Sequence, residues 1–111
     1  MINLTHNEYE GQRGALSAHP AAAADGVSDW VLAPSHNYPL TITVHPGNGG
    51  TARCEFTTSP LADVVAGTAL WQPWGLANVG VLKIDMLASP VVAIRLVAIG
   101  AEAKMDVVAG R

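Results

Sequence analysis

Cysteine is nearly absent: Cys54 is the only one in 111 residues, which excludes an intrachain disulfide framework. Charge is scarce as well. Asp, Glu, Lys and Arg make up 14% of the chain, against about a quarter in an average domain. The net charge is −3 and Lys and Arg never form a run, so the electrostatic footprint of a nucleic-acid-binding protein is missing. No segment approaches the roughly 18 uncharged apolar residues of a membrane-spanning helix. The opening MINLTHNEYEGQR lacks the apolar core of a secretory signal, so synthesis in the cytoplasm is the expectation. The histidines, His6, His19, His36 and His45, never fall at the roughly two-to-five-residue spacing of a compact metal motif. Neither a metal nor another cofactor is expected.

What the chain does have is apolar residues in alternation. Half of it is apolar, the reverse of the balance that keeps a chain disordered. The last third, Val79 to Val108, holds three alternating runs separated by Ser89-Pro90 and by Gly100. In the first, Leu82, Ile84 and Met86 share one face, expected to point inward, and Lys83 and Asp85 share the other. In the second, Val92, Ile94, Leu96 and Ala98 alternate with Ala93, Arg95 and Val97. In the third, Ala101, Ala103, Met105 and Val107 alternate with Glu102, Lys104 and Asp106. Period two is the period of a strand buried on one face, whereas a helix would scatter these charges around its circumference.

Two runs precede these. Leu40, Ile42 and Val44 alternate with Thr41, Thr43 and His45, and Ala52, Cys54 and Phe56 alternate with Arg53, Glu55 and Thr57. Pro46-Gly47-Asn48-Gly49-Gly50 joins them and predicts a hairpin, because glycine and asparagine supply positive φ. Arg53 and Glu55 are expected on its solvent face. Ser59-Pro60 then opens LADVVAG. Serine as N-cap, proline at the first helical position and Gly67 at the end suit a short helix, although the β-branched Val64 and Val65 suit an extended loop. Strands are thus predicted near 40–45, 51–57, 81–87, 91–99 and 101–108, with weaker ones near 2–5, 30–33 and 69–72. Turn signals between closely spaced strands, without crossover helices, indicate an all-β antiparallel sandwich.

The length suits one domain. Within it, residues 1–38 differ from the rest, being interrupted by Gly11, Gly14, Pro20, Gly26 and Pro34. They are expected to form an irregular arm or peripheral strands around a core of residues 39–111. The tract Ala21 to Ala24 is long enough for one helical turn, which is marginal in isolation.

Few residues offer chemistry. Cys54 faces inward between Ala52 and Phe56 and is expected to be an inert small hydrophobe. Asp85 and Asp106 stand beside Lys83 and Lys104 on solvent faces of alternating charge sign, and with Asp63 they suit solvated surface better than a carboxylate pair. The GNGG loop joins two strands, whereas a phosphate cradle must lead into a helix. No catalytic residue is expected. Trp71 and Trp74, either side of Pro73, are the most informative side chains. One reading places one in the core and the other as a cap on the sandwich. Another makes them, with Trp30, anchors of a protein interface, since tryptophan offers a large apolar area and one donor. A third is an aromatic platform for sugar.

The succession TITVHPGNGG, ARCEFTTSP, WQPWG and PVVAIRLVAIGAEAKMDVV resembles small structural proteins of tailed-bacteriophage virions, including jelly-roll capsid decoration or cement proteins. The similarity is one of pattern and covers about Tyr38 to Val108. It implies a jelly-roll-like sandwich in the virion, made in the host cytoplasm and without enzymatic activity. It also implies a homo-oligomer, dimer or trimer, docked on a major capsid protein or another virion protein. Small tail and fibre-associated proteins share the pattern. The alternative of a different class is a small ligand- or carbohydrate-binding sandwich using the same tryptophans.

Overall fold

The computed structural model describes residues 2–3, 5–6, 16–33, 39–74, 78–87 and 90–109, with side chains from residue 17 onward. The alternating runs are strands. In chain order the described elements are β1 (Ile2–Asn3), β2 (Thr5–His6), β3 (Leu16–Ala18), β4 (Ala21–Ala22), β5 (Val31–Leu32), β6 (Leu40–His45), β7 (Thr51–Thr57), α1 (Leu61–Ala66), β8 (Gln72–Pro73), β9 (Lys83–Leu87), β10 (Ala93–Ile99) and β11 (Ala103–Ala109). They form two facing sheets. Sheet A runs β1-β5-β10-β7-β8, and sheet B runs β2-β3-β11-β6-β9 with β4 also paired to β11. Every pairing is antiparallel except β1 with β5. The protein is an all-β sandwich.

The longest strands sit at the centres. β10 pairs with β7 along Ala93 to Ile99, and β11 pairs with β6 along Lys104 to Ala109. Their inner faces carry Ile94, Leu96 and Ala98 from sheet A and Met105, Val107, Leu40, Ile42 and Val44 from sheet B, all buried. Fully burying such a large aliphatic side chain contributes roughly 1.5–3 kcal/mol. Of the described N-terminal residues, β1 and β5 belong to sheet A and β2, β3 and β4 to sheet B. Ala21–Ala22, in the alanine tract, pairs with β11 and is not a helical turn, because the edge of sheet B offers backbone partners that an isolated turn lacks.

Two expectations of local geometry need correction. The segment from Pro46 to Gly50 is not a hairpin turn. It carries the chain from β6 in sheet B to β7 in sheet A, so the two runs face each other across the core. Turn residues specify a reversal of direction but not whether the returning strand hydrogen-bonds or crosses to the opposite layer. Gly100 makes the same kind of crossing between β10 and β11, with φ of +82°. The two arches pack together. A Cβ on Gly47 would drive into the carbonyl oxygen of Glu102, and one on Gly50 would lie 2.6 Å from the carbonyl oxygen of Ile99.

The helix is present, but Pro60 occupies the N-cap position and no side chain caps it. Ser59 is used elsewhere: its Oγ accepts from the backbone N–H of Leu70, 3.1 Å away. Gly67 ends the helix in the left-handed region, with its N–H returned to Val64.

Candidate functional site

The outer face of sheet B carries the largest departure from expectation. Strand β9 is the edge of this sheet and, among the described residues, pairs only with β6. The register sets Asp85 opposite Ile42 and Lys83 opposite Val44. Paired residues in an antiparallel ladder project to the same side, and Ile42 and Val44 are core residues. So Lys83 and Asp85 lie on the inner side, at the open rim of the sandwich. Lys83 reaches out along Trp74, its Nζ 5.9 Å from the ring. Leu82, Ile84 and Met86 point outward instead of inward, at 53%, 61% and 61% exposure. Strand alternation separates two faces without saying which is buried, and a shift of one residue exchanges them.

Next to this apolar edge the outer face becomes polar. Thr43 of β6 stands between Ile84 and Asp106, and Thr41 between Met86 and Val108. Further across, Asp106 receives two histidines. His19 Nδ1 lies 2.7 Å from one carboxylate oxygen and His45 Nε2 lies 2.7 Å from the other. An ionised carboxylate only accepts, so each of these ring nitrogens carries the proton. Partial burial pushes the Asp106 carboxyl up, but the hydrogen bonds from His19 and His45 outweigh it and hold the group below the usual carboxylate range. In the sequence His45 only ends the alternation of its strand, and Asp106 stands beside Lys104 on a face expected to be solvated. Only the β6–β11 and β3–β11 registers bring His19, His45 and Asp106 together. Among the described residues no group of three or more His, Cys, Asp and Glu side chains is placed to hold a metal ion. His36 and the side chain of His6 lie outside the described residues.

The outer face of sheet A is built around Glu55, expected on the solvent face but buried, with its side chain 9% exposed. Arg95 is its direct neighbour across the β7–β10 ladder, with Nη2 to carboxylate 2.7 Å, and Arg53 reaches the other oxygen with Nε at 2.8 Å. Burial pushes the Glu55 carboxyl up, but both guanidiniums bond it and hold it below its ordinary value. Arg53 also donates to the Asn78 side chain at 3.0 Å. The chain after α1 folds back over this face: Thr57 donates to the carbonyl of Leu70, and Trp71 stacks on Arg95 with its ring centre 4.3 Å from the guanidinium carbon. A shallow cleft lined by Arg53, Glu55, Pro73 and Asn78 remains beside it.

The tryptophans therefore do three different things. Trp71 covers an ion cluster, Trp74 packs partly against the core under Lys83, and Trp30 is half-buried beside β5. They do not form one aromatic platform. Cys54 is buried, and its thiol is pushed up to about 12 by burial and by the charge of Glu55, as its inward position implied. Comparison with family models, curated proteins and solved structures finds no match to the chain.

Proposed function

We propose that this protein is a non-enzymatic structural module that self-associates and docks on a larger assembly, of the virion-decoration kind its sequence pattern resembles. A jelly-roll path and a place on a capsid or tail belong to the same proposal. The observation that carries it is the outward row of Leu82, Ile84 and Met86 on one edge of sheet B. Scattered single apolar residues on a surface need no explanation, but a contiguous row at a sheet edge marks a surface meant to be covered. The low charge of the whole chain, at 14%, fits a protein that presents surface to neighbours.

Trp71 is engaged with Arg95, which weakens the sugar-platform alternative, because a sugar would have to displace the guanidinium or use the ring's other face. Light scattering on the purified protein across a dilution series tests the proposal. A mass above that of one chain, lowered by Ile84→Ser with Met86→Ser, is the expected result. A single-chain mass at every concentration, together with quenching of tryptophan fluorescence by sugars, would replace it with the ligand-binding reading.

A further inference from the structure

We infer that two copies of this chain join through their β9 edges, antiparallel about a two-fold axis at Ile84, into one continuous sheet. The inference rests on the self-association proposed above and names its partner and register.

The backbone supplies the first part of the argument. The N–H of Met86 donates to the carboxylate of its neighbour Asp85, 2.8 Å away, so it is not turned toward β6. Backbone groups alternate sides along a strand. Those of Leu82, Ile84 and Met86 therefore face the free edge, and those of Lys83, Asp85 and Leu87 face β6. A second strand can add only through the even-numbered residues.

The side chains supply the second part. In a two-fold antiparallel pair the two residue numbers sum to a constant, so few alignments compete. Centring on Lys83 sets Lys83 against Lys83 of the second copy, like charges in a close, non-hydrogen-bonded pair. Centring on Asp85 fails in the same way, with Asp85 against Asp85. Centring on Ile84 sets Lys83 opposite Asp85 of the second copy and Asp85 opposite its Lys83. Opposite charges directly across a ladder stabilise it and like charges destabilise it. On the outward side the same alignment stacks Ile84 on Ile84, Leu82 on Met86 and Met86 on Leu82. The exposed rows of both copies then merge into one apolar patch. The stretch Leu82-Lys83-Ile84-Asp85-Met86 is thus complementary to itself when reversed, in charge on one side and in apolar character on the other. Ile84 pairs with Ile84 as a hydrogen-bonded pair, and the charged residues form the closer, non-hydrogen-bonded pairs.

In the single chain, Asp85 occupies the Met86 N–H that an incoming strand would need. Pairing releases the carboxylate to Lys83 of the second copy, so the same residue guards the edge against strangers and accepts its own kind. Five paired residues span about 17 Å, which places the contact at the small end of specific interfaces and makes the dimer dissociable.

Charge exchange tests this. Lys83→Asp alone and Asp85→Lys alone each place like charges opposite one another at both symmetric positions. Each is expected to raise the dimer dissociation constant tenfold or more by sedimentation, with the monomer still folded by circular dichroism. The double variant Lys83→Asp with Asp85→Lys restores the homodimer. An equimolar mixture of the two single variants forms a heterodimer, because every cross-strand pair is then opposite in sign. If the protein dimerises but the single variants do so undiminished, the β9 register is overturned and self-association through another surface stands. If the unmodified protein is a monomer at all concentrations, the register and the self-association both fall.

Discussion

Glu55 and Arg95 face each other across the β7–β10 ladder at 2.7 Å, although 40 residues separate them in the chain. The contact is the centre of a charged layer under Trp71, and it ties the two longest strands of sheet A to the segment that follows α1. Glu55→Gln keeps the shape and one acceptor but leaves two guanidiniums without their counter-charge. Breaking a fully buried pair costs about 3–5 kcal/mol. The side chains of Arg53 and Arg95 are 30% and 28% exposed, so solvent screening reduces this to roughly 2–3 kcal/mol. Chemical denaturation should show the midpoint falling while the slope is unchanged.

Acid should destabilise the protein through two carboxyls. Burial raises both, but hydrogen bonds from Arg53 and Arg95 on Glu55, and from His19 and His45 on Asp106, leave each below its unfolded value. A carboxyl depressed in the folded state contributes stability that is complete above its unfolded pKa, about 4 for these groups. That stability is lost as pH falls from there through the folded value. Denaturant titrations at successive pH values below about 5 should show this loss, and Asp106→Asn should make it shallower.

Cys54 reports unfolding. The buried thiol, with its pKa near 12, is almost entirely protonated at neutral pH, and the thiolate is the species that reacts. Alkylation of the native protein should be slow and should accelerate in denaturant in step with the loss of β-sheet circular dichroism. Rapid labelling under native conditions would show that strand β7 opens locally.

The arches can be tested at their glycines. Gly50→Ala must displace backbone at Ile99 and Ala101, both within 3 Å of the new methyl, and overpacking of this kind costs about 1–3 kcal/mol. Gly49→Ala meets nothing within 4 Å and carries only the strain of φ +84°, about 1 kcal/mol. The melting temperature of the Gly50 variant should therefore fall further than that of the Gly49 variant.

Strand rhythm was legible wherever one face of a run was much bulkier than the other and the strand lay centrally. Ile94, Leu96, Met105 and Val107 are buried as their alternation implies. At β9 the same rhythm misled, because Leu82, Ile84 and Met86 form an equally good inner row and only pairing with β6 decides the side. The Gly-rich loop after β6 identified a reversal correctly but not the layer change. Neither cluster on the sheet faces was legible. His19, His45 and Asp106 meet through registers between distant strands, and Glu55 is covered by a Trp-bearing segment whose path no local pattern encodes. The residue types were visible, but their company depends on topology.

The two arches have a kinetic consequence. Because the chain changes layer after β6 and again after β10, strands adjacent in sequence at these points do not become neighbours in a sheet, and each sheet is stitched from separated segments. Val107 pairs with Ala18 and with Ile42, so little of sheet B can form before remote parts of the chain meet. Closing such long loops precedes the reward of pairing, which places folding in the slow, millisecond-to-second range typical of sandwiches rather than that of helical bundles. It also makes the molecule indivisible: a cut in the arch after β6 leaves each piece with strands of both sheets missing their partners, and a cut at Gly100 removes β11, the strand that joins β3, β4 and β6 in sheet B.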